Sequence, residues 1–76
     1  MEFSLDALRP GQCAVVVRLD VDSTLEDRLK SFGMVPNTIV CCCYHSPDGS
    51  VASFSCRGGI IAIRTKDLRR IWGRRE

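Results

Sequence analysis

Most of the usual equipment for catalysis is scarce in this sequence. It has one histidine, one tryptophan and one tyrosine in 76 residues. The acid nearest to His45 is Asp48, which falls in a turn, so no positioned acid–base pair is written into the chain. Gly58-Gly59 lacks the following Lys-Ser or Lys-Thr and the helix that a phosphate-cradling loop requires. The paired Cys-x-x-Cys turns of structural zinc sites are missing too. No basic stretch followed by an apolar segment opens the chain, and no apolar run approaches a membrane span. These absences make the cytoplasm the expected location. Net charge is also small, +2, too little to require a nucleic-acid or membrane partner. A chain this short buries about 60–65% of its unfolded surface, enough for one core and not for an enclosed substrate cavity. A non-enzymatic domain without cofactors is the reading these absences leave.

Cysteine is the residue present in excess. There are five, an odd number with three adjacent, which makes a poor disulfide framework. In a reducing compartment they are expected to remain thiols. Cys41, Cys43 and His45 share one strand face and are the only metal-ligand candidates. Alternate strand positions stand about 7 Å apart, whereas zinc or ferrous iron needs donors about 2.0–2.3 Å from one centre. No metal site is expected from them. Ordinary packing is expected for Cys42 and Cys56, and exposed or half-buried thiols for Cys41 and Cys43. Cys13 is distant in sequence.

The charges are unevenly placed. Residues 1–56 hold four Arg or Lys against seven Asp or Glu, and residues 57–76 hold seven against two. A basic C-terminal edge follows, made of Arg57, Arg64, Lys66, Arg69, Arg70, Arg74 and Arg75. Such a run is either a solvated face or a docking surface for an acidic partner.

Turn signals cut the chain into short segments. Phe3, Leu5 and Leu8 form an apolar anchor before the turn Arg9-Pro10-Gly11. Cys13–Leu19 alternates as a strand, with Cys13, Val15, Val17 and Leu19 on one face; Arg18 marks the other face as partly wet. Ser23-Thr24-Leu25-Glu26 reads as a capping box with Ser23 as N-cap. Leu25, Leu29 and Phe32 then form one apolar stripe of a short helix ended by Gly33 and Pro36. Two strands follow, 38–45 and 51–56, around the turn Ser46-Pro47-Asp48-Gly49-Ser50. Pairing Ser46 with Ser50 would set Tyr44 against Ala52, Cys42 against Phe54 and Val40 against Cys56, on a common core face. A fourth strand, 60–64, precedes a turn or 3₁₀ segment at 65–70. Leu68, Ile71 and Trp72 return to the core before a charged tail from about 73. Four or five short strands with one helix make a mostly β, strongly curved barrel, a single domain over 1–76.

In this order the residues resemble the FeoA family. Leu5, Leu8, Pro10 and Gly11, then Arg28-Leu29, stand where the family pattern has them. Phe32-Gly33-Met34-Val35-Pro36-Asn37-Thr38-Ile39 looks like its Leu-Gly-Leu-x-Pro-Gly-x-x segment, with Asn37 in place of Gly. Gly58-Gly59-Ile60-Ile61-Ala62-Ile63-Arg64 looks like its Gly-x-x-Ile-Ala-Leu-Arg stretch. The resemblance implies an SH3-like barrel of about five strands with one inserted short α-helix. It also implies an accessory role in bacterial ferrous-iron uptake through the cytoplasmic part of FeoB, the membrane transporter. Recruitment to the inner membrane would come through that partner. Arg28, Arg64, Arg69 and Arg70 are the partner-binding candidates. Two alternatives stay open: a nucleic-acid-binding module using the basic tail with an exposed Trp72, and a metal- or redox-responsive adaptor using the cysteines. Oligomeric state is left open by the sequence.

Overall fold

The computed structural model describes residues 1–76. Six antiparallel strands form one curved sheet in the order β1-β6-β2-β3-β4-β5. In chain order they are β1 (Glu2–Ser4), β2 (Cys13–Leu19), β3 (Ile39–His45), β4 (Val51–Cys56), β5 (Gly59–Arg64) and β6 (Ile71–Arg74). Helix α1 (Ser23–Ser31) lies between β2 and β3, and a single-turn α2 (Thr65–Leu68) between β5 and β6. This is the mostly β barrel with an inserted helix, with six strands rather than about five. The added strands are β1 and β6, which pair with each other from Glu2↔Arg74 to Ser4↔Trp72. The charged tail therefore begins after Arg74, because Gly73 and Arg74 are held in a strand. No helix is long and apolar enough to cross a membrane.

The core lies inside the barrel. Leu5, Val16, Leu29, Met34, Val40, Cys42, Phe54, Leu68 and Ile71 are fully buried there. Of the helix stripe, Leu29 is buried and Leu25 and Phe32 pack against the core at its margin. In β2 the core face carries Ala14 and Val16. A register shift between Val16 and Arg18 then turns Arg18 outward, which is why its charge did not spoil that face.

Three local expectations are corrected. The N-cap of α1 is Asp22, not Ser23; its side chain accepts the Leu25 N–H at 2.8 Å. An aspartate at the cap also places negative charge at the positive helix end, which a serine does not. The β3–β4 register keeps Cys42 opposite Phe54, but an irregularity between Cys42 and Tyr44 sets Tyr44 opposite Ser53 and His45 opposite Ala52. One extra residue reverses the alternation that follows it, so Tyr44 leaves the core and is 54% exposed. His45 turns inward instead, its Nε2 lying 2.7 Å from the Leu8 carbonyl oxygen.

Two backbone positions explain the motif residues. Asn37 has φ of 73°, the left-handed region that asparagine tolerates better than most residues. Gly58 packs where an added Cβ would stand 2.9 Å from Phe32 Cα, and its N–H donates to the Phe32 carbonyl at 2.8 Å. The β4–β5 turn thereby clamps the end of α1.

Candidate functional site

The basic residues of the C-terminal segment do not form one patch. Strand β5 ends at Arg64, and the chain turns at once into α2, so Arg64, Lys66 and Arg69 project around a single corner. They line a groove of about 380 Å³ with Gly49, Ser50 and Thr65. The corner is fixed by backbone: the Thr65 N–H donates to the Ser50 carbonyl and the Thr65 hydroxyl to that of Gly49. A second groove, of about 400 Å³, runs between α1 and β5 and brings Arg28 beside Arg64. There Arg28 donates to the Ala62 carbonyl at 3.4 Å, on the outer edge of the last strand. Arg64 belongs to both grooves. Arg70 belongs to neither.

Three of these cations, Arg64, Arg69 and Arg70, are ion-paired in the fold. Arg64 Nε lies 3.3 Å from Asp67, Arg69 3.7 Å from Asp6, and Arg70 3.0 Å from Asp20. Arg70 is held twice, since its Nε also donates to the Asp20 carbonyl at 2.8 Å. It thus ties the end of β2 to the start of β6. Two of these pairs, Arg69 with Asp6 and Arg70 with Asp20, join the basic end to the acidic segment 1–56 across the barrel. Lys66 makes none of these ion pairs. It is the lysine of this corner that the candidate set lacked, although it stood in the basic run.

The cysteines required the larger correction. Cys13 and Cys41 are joined by a disulfide, with Cα atoms 4.0 Å apart across β2 and β3. Cys42 N–H donates to the Gln12 carbonyl at 2.8 Å; the alternation of an antiparallel ladder then makes the next pair non-hydrogen-bonded, the kind whose side chains come closest. Sequence distance said nothing about this, because pairing of β2 with β3 removes it. The metal candidates are consequently dispersed. Cys41 is bonded to Cys13, Cys43 is an exposed thiol, and the His45 ring is engaged by the Leu8 carbonyl. Burial pushes the Cys42 thiol above its usual range, and pushes Cys56 up to about 11. Both stay protonated and weakly nucleophilic at neutral pH.

The nucleic-acid alternative needed an open Trp72 ring. Trp72 is half-buried, and the Arg18 guanidinium sits over it, 4.9 Å from the ring centroid. That cation occupies the face on which a base would stack.

Comparison with known proteins bears on the whole chain. A search of curated proteins finds no match. Among solved structures, the FeoA protein from Chlorobium tepidum superposes with a TM-score of 0.85 at 22% identity, covering 91% of this chain and 66% of that one. An iron uptake regulatory protein, FeoA, gives 0.81 at 24% identity and 97% coverage of both chains. A manganese-dependent transcriptional repressor gives 0.84 at 17% identity, covering 99% of this chain but 42% of the repressor. The chain thus spans just under two thirds of the first of these and nearly all of the second. At such identities the likeness establishes the SH3-like fold. The family model for the FeoA domain matches residues 3–75, and the chain belongs to the FeoA domain family.

Proposed function

We propose that this protein is a non-enzymatic accessory of ferrous-iron uptake that binds the cytoplasmic part of the FeoB transporter through the β5–α2 corner. The observation that carries the reading is the FeoA domain itself, which spans residues 3–75 and implies a role in ferrous-iron transport. The family consists of small accessory domains rather than enzymes. Association with the inner membrane would come through the partner.

Electrostatics favour the corner as the contact. Lys66 is uncommitted, and the side chains of Arg64 and Arg69 are each 67% exposed within their ion pairs. The arginine ends face solvent, while Asp67 and Asp6, at 19% and 26% exposure, stay against the fold, so an acidic partner would meet the guanidiniums from outside. Arg28 faces Arg64 across the second groove, which Asp22 and Asp67 also line, so the cationic surface is confined to the corner of Arg64, Lys66 and Arg69. Arg70 is also 60% exposed, but it holds Asp20 by two contacts, to the carboxylate and to the carbonyl. Reversing it would place a glutamate beside that aspartate and disturb the β2–β6 junction, so it is a poor probe of binding.

The test is association kinetics against the immobilised cytoplasmic portion of FeoB across salt concentrations. Lys66→Glu with Arg69→Gln, which leaves no carboxylate facing Asp6, should slow association about tenfold at low salt, and the difference should shrink as salt screens the charges. Unchanged association would exclude this corner. Absence of binding to the full-length transporter would defeat the partner assignment itself.

A further inference from the structure

We infer that Cys13 is a thiol–disulfide exchange site for a low-molecular-weight thiol that carries carboxylate groups. Three observations converge on it. The Cys13–Cys41 bond lies outside the hydrophobic core, and both residues are half-buried rather than sealed. It joins the first of the three paired positions, Cys13↔Cys41 to Val15↔Ile39, and the hydrogen bonds of Gly11 and Gln12 with Cys42 hold the two strands together beyond it. Opening it therefore removes no core contact, and β2 stays held by β6 on its other side. Finally, Cys13 lines a groove of about 540 Å³, with Phe3 and Leu8 as apolar wall and Arg9, Gln12 and Arg75 around them.

The two arginines define what fits. Neither Arg9 nor Arg75 takes part in any of the four ion pairs of the molecule. Every acidic side chain that the fold uses for pairing is spent elsewhere, on Arg18, Arg64, Arg69 and Arg70. An anionic thiol would meet two uncompensated guanidiniums, which can hold a carboxylate bidentately. A cationic thiol would meet repulsion. Cys41 does not line this groove, so the attack falls on Cys13.

The chemistry balances as follows. A thiol loses its proton to solvent, and its thiolate attacks Cys13 Sγ along the sulfur–sulfur axis. The new bond joins Cys13 to the incoming sulfur as the bond to Cys41 breaks, and its electron pair leaves on Cys41, which takes a proton from solvent. A second thiolate then attacks the incoming thiol's sulfur. This forms the small-molecule disulfide and releases Cys13 as a thiol. Two thiols have supplied two electrons, and one protein disulfide has become two thiols. The reverse sequence reseals the bond from the oxidised small molecule. Cys42 and Cys56, held protonated by burial, do not compete; the exposed thiol of Cys43 can, so the probes below are run on chains that carry Cys43→Ser.

The probes are glutathione, which bears carboxylates, and cysteamine, which bears an amine. The disulfide-bonded chain, carrying Cys43→Ser, is mixed with each at matched thiolate concentration, quenched with acid, alkylated and weighed intact. Glutathione should open the bond at least about tenfold faster than cysteamine, the order expected of charge steering into a cleft. Arg9→Gln with Arg75→Gln should bring the two rates together. In Cys41→Ser, oxidised glutathione should trap a mixed disulfide on Cys13, located by peptide mapping. Equal rates for the two thiols in the chain that keeps both arginines would refute the site, whatever the other variants do. Opening only after urea unfolding would make the bond structural, and alkylation of Cys13 and Cys41 before any thiol is added would show that the bond is not kept.

Discussion

Removing the cross-link by Cys13→Ser together with Cys41→Ser should cost most of this domain's stability. The perturbation leaves neither partner of the bond as a thiol, and neither position belongs to the core, so packing losses are small. The loss is in the unfolded chain. The bond spans a sequence separation of 28, a loop that contains all of α1 and most of β2. In the chain-entropy account, closing such a loop removes about 12 cal/mol/K, or about 3.6 kcal/mol at 25 °C. A domain of this size has on the order of 5 kcal/mol in total. Its unfolding entropy, at about 2.1 cal/mol/K per residue, is near 160 cal/mol/K. The midpoint should therefore fall by about 20 °C. Linkage makes the same quantity a preference of the folded state for the bonded form, about 400-fold. Urea titration followed by circular dichroism, comparing the oxidised wild type with the double serine variant, measures the difference directly. Agreement of the two within about 1 kcal/mol would refute the loop-closure argument.

Two further outcomes follow from single residues. Leu29 is fully buried between α1 and the barrel, so Leu29→Ala should cost about 2–5 kcal/mol in the same titration, with the disulfide kept to hold the variant folded. Asp48 is held down to about 2 by the Ser50 N–H and the Ser46 and Ser50 hydroxyls, which donate to its carboxylate. A carboxyl lowered on folding stabilises above its unfolded value, about 3.9, and the benefit is lost as pH falls through about 2. The turn's carbon chemical shifts should titrate in that lower range, and Asp48→Asn should remove the titration; a midpoint near 3.9 would contradict the turn geometry.

How much of this was legible beforehand depends on the range of the interaction. The helix, the 46–50 turn and the apolar stripe of Leu25, Leu29 and Phe32 follow from spacings within a dozen residues, where side chains meet by local geometry alone. The order Gly33, Asn37 and Gly58 was readable as family pattern, and its reason became visible only when Gly58 was seen against Phe32. Ser23 and Glu26 satisfy the capping-box pattern one residue after Asp22, so local pattern alone selects the wrong cap. The sequence alone sufficed for a small mostly β barrel with one inserted helix, for the family resemblance, and for a division into an acidic and a basic part. Tertiary structure decided what those parts do. Pairing of β2 with β3 brought Cys13 to Cys41 across a separation of 28. One irregular residue in β3 sent Tyr44 to solvent and His45 inward, since an alternation of period two has no memory of where a bulge falls. Folding set Asp6 and Asp20 against Arg69 and Arg70, so that a charge asymmetry along the chain became ion pairs across it, with Lys66, Arg9 and Arg75 among the seven cations outside any pair.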